Sequence, residues 1–305
     1  MKKWRKILGI SLICLLLIGF GALVVVSRRE AHTLVCNPTQ EREPIDESPA
    51  DYGMDFETLT LTTEDGCKLA AWYVPSKNGA ALIAQHGYKE DRQTMLNEAA
   101  MLSRHGYGVI MVDLRAHGLS EGDMITFGLL EVRDLEAAYQ YLLTRPEVDP
   151  DRIGALGNSM GAVTALLYTA QNPNIKAVVS QSAFASLQDE VATGVEYFTG
   201  LPAFPFAPMI QFFAEREAGF SADEVAAIEH IHEISPRPVL LLQGGKDTLI
   251  PADSGQRLFE AAGEPRELWF DPDLGHVEFD TERARQYEAR VVAFFDRYLL
   301  GKGRQ

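Results

Sequence analysis

The stretch Arg152-Ile-Gly-Ala-Leu-Gly-Asn-Ser-Met-Gly-Ala-Val-Thr-Ala-Leu-Leu-Tyr168 decides how the rest of the chain is read. Ile153 to Leu156 has the apolar character of a short buried strand, and Met160 to Tyr168 the small and apolar character of a buried helix. Between them Gly157-Asn158-Ser159-Met160-Gly161 fits the pattern G-x-S-x-G. A strand that turns at once into a helix forces its central residue into strained backbone geometry. Glycines two positions to either side remove the side chains that would collide there. The serine hydroxyl then stands at the tip of the turn, above a helix N-terminus that favours developing negative charge. Ser159 is therefore the candidate nucleophile.

On either side of this turn, apolar runs alternate with helical patterns. Phe56 to Thr62 and Lys68 to Val74 read as two strands joined around Glu64-Asp65-Gly66. Strands follow at 80–85, 108–114, 153–156, 176–181, 238–243 and 267–270, with helices near 94–104, 129–143, 160–171, 252–262 and 282–300. The alternation predicts a mostly parallel eight-stranded sheet with helices on both faces, an α/β fold. In such a sheet the reactive groups gather just beyond the carboxyl ends of the strands.

A serine is inert at neutral pH without a base, and the base needs an orienting acid. Of the seven histidines, His276 alone lies after the last strand and before the closing helix. Asp247, in Gly244-Gly-Lys-Asp-Thr-Leu-Ile-Pro251, lies at the carboxyl end of the strand at 238–243. The order Ser159, Asp247, His276 is the one G-x-S-x-G enzymes of this architecture use. An acyl-transfer site also needs two donors for the oxyanion. The backbone N–H of Met160 supplies one, and that of Tyr88, in Gln85-His86-Gly87-Tyr88, supplies the other. His86 is expected to be structural. The sequence contains no ligand-spaced His/Cys cluster, so neither a metal nor an organic cofactor is implied.

The 305 residues give room for one large or two small domains, and 28 basic against 43 acidic residues give a net charge of −15. Six of the basic residues, Lys2, Lys3, Arg5, Lys6, Arg28 and Arg29, precede the first acid, Glu30, so the body is more acidic than the whole chain. Such a body repels phosphate backbones, which excludes nucleic acid as an expected partner. Ile7 to Val26 is free of charge and long enough to cross a hydrocarbon core as a helix. It is longer than the apolar region of a cleavable signal, and no clean A-x-A site follows it. Residues 1–29 are accordingly expected to be a cytoplasmic tip and a retained anchor, with the basic cluster inside and the acidic body outside the cytoplasm. Residues 30–55, with Pro38, Pro44 and Pro49, read as a linker. Cys36 and Cys67 are free to pair or not in that compartment.

His86-Gly87-Tyr88, Asp113-Leu-Arg-Ala-His-Gly-Leu-Ser120, Gly157–Gly161, Asp247 and His276 together make residues 56–300 resemble the α/β-hydrolase superfamily. The chain looks most like its bacterial, often membrane-anchored members of the esterase-like or serine-peptidase-like (S9-like) group. The resemblance implies that Asp113, Arg115, His117 and Ser120 support the site without taking part in the chemistry. It also implies that the insertion at about 182–236 is a small cap over Ser159. That segment holds Phe184, Tyr197, Phe198, Phe204, Phe206, Phe212, Phe213 and Phe220, with Pro202, Pro205 and Pro208 expected to interrupt its helices. About half of these rings are expected to pack the cap onto the sheet. The others would line an apolar pocket for the acyl group of a small-molecule ester. The expected activity is that of a carboxylesterase on short or medium acyl esters. A peptidase or amidase of the same fold, and a non-catalytic binding protein that kept the fold, are the alternatives.

Overall fold

The computed structural model describes residues 2–302. Eight strands form one sheet: β1 (Glu57–Thr62), β2 (Lys68–Val74), β3 (Ala81–Gln85), β4 (Gly108–Val112), β5 (Ile153–Asn158), β6 (Val178–Gln181), β7 (Val239–Gly244) and β8 (Arg266–Asp271). Their order is β1-β2-β4-β3-β5-β6-β7-β8. β2 runs antiparallel to both β1 and β4, and every other pairing is parallel.

The helices are α1 (Lys2–Val35), α2 (Leu96–Arg104), α3 (Val132–Leu143), α4 (Met160–Gln171), α5 (Leu187–Thr199), α6 (Ala203–Ala218), α7 (Ala227–His230), α8 (Ser254–Ala261), α9 (Phe279–Glu282) and α10 (Ala284–Leu299). Successive strand residues point to opposite faces, and the core sorts accordingly. Ala81 and Ile83 of β3 pack with α3, α4 and α8 on one face. Leu82 and Ala84 pack with α2 and α10 on the other. The central strands β3, β4, β5 and β7 are buried at every position, as strands covered on both faces must be. The expected eight-stranded, mostly parallel architecture is the one observed.

Two expectations change. Residues 30–55 are packed, not slack. α1 runs on to Val35, with Ala31 and Val35 fully buried. Beyond it Cys36 forms a β-bridge with Met124, and Asn37 Nδ2 donates to the carbonyl of Ala116 over 2.7 Å. Arg42, its side chain only 3% exposed, donates to carbonyls of the 117–122 loop, including that of Ser120 at 2.5 Å. The prolines there do not prevent docking: Pro38 and Pro49 open short 3-10 turns, and side chains of the segment satisfy loop carbonyls. In the cap, Pro208 does not interrupt α6. The break in that helix falls four residues earlier, at Phe204 (φ −102°, ψ 131°), so Pro208 sits in the first turn of the segment that restarts there and forfeits only the bond to the Phe204 carbonyl. Cys14, Cys36 and Cys67 form no disulfide.

Among the described residues one helix, Lys3–Val35, is long and apolar enough to cross a membrane. Its side chains are exposed through the apolar run, and from Ser27 onward it becomes part of the folded body. Ala31 and Leu34 pack against α6, with Ile210 and Ala207 opposite.

Candidate active site

Ser159 stands between β5 and α4 with φ 53° and ψ −120°, a positive-φ conformation outside the ordinary allowed regions that a side-chain-bearing residue adopts only when its surroundings impose it. Its own N–H donates to the carbonyl of Gln181 at 2.9 Å, fixing the turn to β6. A Cβ on Gly161 would lie 2.3 Å from the His86 carbonyl oxygen, so only glycine lets α4 start this close to the β3 loop. The geometry that the sequence pattern implies is thus present.

His276 lies between β8 and α9. Its Nε2 is 2.9 Å from Ser159 Oγ, and its Nδ1 is 2.8 Å from Asp247 Oδ2. The Asp247 side chain is fully buried, whereas the imidazole is 23% exposed and open to a substrate. The other oxygen of Asp247 accepts from the N–H groups of Leu249 (3.0 Å) and Ile250 (2.8 Å), so the carboxylate cannot turn away. With Nδ1–H directed at a carboxylate, Nε2 is left as acceptor for the serine proton. The two loops that carry Asp247 and His276 touch at Gly244, where a Cβ would sit 2.4 Å from the Gly275 carbonyl oxygen. Lys246 N–H donates to the Leu274 carbonyl at 2.7 Å and ties the same loops together.

Tyr88 and Met160 line one cavity with Ser159, and among the described residues neither backbone N–H has a protein acceptor. The Tyr88 phenol donates to the Leu34 carbonyl at 2.6 Å, its ring stacks on Phe127 at 5.5 Å, and burial pushes its pKa up. His86 is structural. Its Nδ1–H donates to the Gly87 carbonyl (2.8 Å) and its Nε2 accepts from Leu114 N–H (3.1 Å), which leaves no nitrogen for a proton transfer.

The loop Asp113–Ser120 also serves structure. Asp113 is paired with Arg92 and accepts from Leu119 N–H at 2.8 Å. Arg115 bridges Asp134 and Asp65, and Ser120 Oγ donates back to the Asp113 carbonyl at 2.6 Å. His117 donates to the Arg115 carbonyl, and burial, then the neighbouring His86, hold its pKa well below the usual imidazole value.

Sequence reasoning missed three features. Leu34 and Val35 of α1 form part of the wall of the cavity. Asn158 Nδ2 donates to buried Glu98 at 2.8 Å directly behind the turn. Glu190 is buried in the cap beside the same cavity. The one advance signal was a glutamate at position 98 on an otherwise apolar helix face, among Leu96, Ala99 and Leu102. Of the cap rings, Phe184, Phe198 and Phe220 line the cavity, Phe206 and Phe213 pack toward α1, and Phe204 is 83% exposed.

The family model of X-Pro dipeptidyl-peptidases (S15 family) matches residues 65–207, which include Ser159 and end before Asp247 and His276. The esterase Pf2001 of Pyrococcus furiosus superposes with a TM-score of 0.75 at 29% identity, over 87% of this chain and 98% of that one. The chain belongs to the α/β-hydrolase superfamily. An uncharacterized Mycobacterium tuberculosis protein is 28% identical to this hydrolase, with 90% of each chain covered. The Arabidopsis thaliana α/β-hydrolase domain-containing protein WAV2 is 24% identical, over 94% of the hydrolase and 93% of WAV2.

Proposed function

We propose that this hydrolase is a serine carboxylesterase for short or medium acyl esters, with Ser159 as nucleophile, His276 as base and Asp247 as its orienting acid. Ser159 Oγ attacks the ester carbonyl carbon while His276 Nε2 takes its proton. Asp247 holds the imidazole tautomer and stabilises the imidazolium that forms. The N–H groups of Met160 and Tyr88 donate hydrogen bonds to the oxyanion, helped by the N-terminus of α4. His276 then gives its proton to the departing alkoxide. A water molecule, deprotonated by the same nitrogen, releases the acid from the acyl-enzyme.

The single observation that carries this reading is the unbroken run of hydrogen bonds from Ser159 through His276 to Asp247, at a strained turn opening on an apolar cavity. Its volume of about 100 Å³ is below the ~150 Å³ of a cavity that holds benzene. That size favours a short acyl group over a lipid chain. A second reading, a peptidase, draws on the match to the dipeptidyl-peptidase family and has the same chemistry with an amine leaving group. In either reading α1 is a membrane anchor holding the body outside the cytoplasm.

A fluorophosphonate probe tests the nucleophile. Labelling of the purified full chain, lost in Ser159→Ala, is the expected result. Equal labelling of Ser159→Ala would overturn the assignment.

A further inference from the structure

The cavity beside Ser159 is walled mostly by carbon, including Leu34, Val35, Phe127, Phe184 and Ile250. Two of its lining residues carry carboxyl groups, and they differ in one respect. Glu215 Oε1 accepts from Gln211 Nε2 at 2.9 Å and from Ala222 N–H at 3.0 Å, so its place is explained by local structure. Glu190, in the first turns of α5, is 7% exposed, and among the described residues neither of its side-chain oxygens has a partner. A buried polar group left unpaired is disfavoured, and folded proteins keep few of them.

The charges around Glu190 decide its state. Among the described residues, no lysine, arginine or histidine lines the cavity. Asp189, next in sequence, is drawn away to Arg257 at 2.6 Å. The charge that acts on Glu190 is the anion Asp247, and burial with that repulsion pushes its pKa up to about 9. At neutral pH the group is therefore a carboxylic acid, with one O–H to donate and a carbonyl oxygen to accept. A free ammonium would have to leave water for a carbon-walled space, at a far larger desolvation penalty than a hydroxyl or a ketone. A carboxylate would meet two acids and no cation.

Resting on the esterase reading, we propose that Glu190 is a specificity-determining residue, whose carboxyl hydrogen-bonds an uncharged oxygen carried on the acyl chain of the substrate. The favoured substrates are then hydroxyacyl or oxoacyl esters rather than plain hydrocarbon ones. A site with a buried group awaiting a partner discriminates against the analogue that lacks it.

The test compares p-nitrophenyl butanoate with its 3-hydroxy and 3-oxo counterparts, at equal chain length, on the purified full chain. The wild type is expected to favour the oxygenated esters by about 10-fold in kcat/KM. Glu190→Leu should reduce the ratio to about one. Glu190→Gln, which keeps a neutral donor and acceptor, should retain most of the preference. An unchanged ratio in Glu190→Leu would overturn the proposal. So would a wild-type preference for aminoacyl esters that both variants lose, because it would make Glu190 an ionised partner for a cation. Absence of turnover of every ester, with no fluorophosphonate labelling, would instead overturn the esterase reading, and the pocket's role with it.

Discussion

Asn158, the residue before the candidate nucleophile, donates from Nδ2 to Glu98 Oε1 of α2 over 2.8 Å. The pair is buried beneath the strained turn. Burial, then the nearby Asp280, pushes the Glu98 pKa up. Asn158 Oδ1, the Tyr287 hydroxyl and both side-chain amide atoms of Gln181 are likewise buried, without a hydrogen-bond partner among the described residues. Glu98→Gln keeps an acceptor for Asn158 and should be nearly silent. Glu98→Ala leaves the amide unpaired and opens space, so stability should fall by about 2–3 kcal/mol. Urea unfolding of the two variants checks this, and equal losses would show that the pair braces nothing.

Asp247 receives two backbone N–H groups on one oxygen and His276 on the other. Asp247→Asn would present an amide where Nδ1–H now donates, and so favour the wrong imidazole tautomer. We expect kcat to fall by about 10³-fold or more with KM little changed. A fall of less than tenfold would remove Asp247 from the mechanism.

The raised pKa of Glu190 has a consequence for stability with a definite sign. An ordinary glutamate titrates near 4.5, and in the folded protein this one titrates at about 9. Between those values the folded state holds a proton that the unfolded state has released, so stability falls as pH rises across the window. Glu190→Gln removes this contribution. Its stability relative to wild type should grow from pH 5 to pH 9, by at most about 1.4 kcal/mol per pH unit, and then level off. Urea midpoints that differ by a constant amount over that range would mean the carboxyl is solvated.

The small cavity predicts a limit on chain length. Along a series of p-nitrophenyl esters kcat/KM should rise by about 1–3 kcal/mol of transition-state stabilisation per methylene until the pocket is full, and then fall. The maximum is expected at short or medium chains. Rates still climbing at long-chain esters would point to a lipase, and peptide amides cleaved faster than every ester would favour the peptidase reading.

The basic cluster before the apolar run predicts orientation. Protease added outside intact cells should digest the body of the protein, and cell lysis should not be needed. Protection until lysis would place the body in the cytoplasm. A mature chain lacking residues 1–26 would identify a cleaved signal.

How much of this could be read from the sequence follows from the range of the interactions concerned. Ser159 and its turn were legible because strand, glycine spacing and helix are all local. Asp247 and His276 were legible because an α/β sheet puts its loops at one edge, so order along the chain implies nearness in space. Glu190 was not, because its isolation depends on which side chains surround α5, and no short pattern encodes an absence of partners. The docking of 30–55 was hidden for a related reason. Arg42 is satisfied by carbonyls 75 to 80 residues away, and those backbone acceptors leave no trace in residue identity. The long insertion at 182–236 gave no sign that α1 would share a cavity wall with α5 and α6.

That wall makes α1 a mast rather than a leash. Its 34 residues form about 50 Å of continuous helix. Its upper turns are wedged against α6, bonded through the Leu34 carbonyl to Tyr88, and exposed to the cavity at Leu34 and Val35. A flexible tether would let the domain tumble independently of whatever holds its far end. A rigid post transmits torque, so a tilt imposed near Lys3 is delivered as a displacement of the surface that faces Ser159. Trimming the chain for solubility anywhere past Ser27 would therefore remove masonry from the cavity, not merely its foundation.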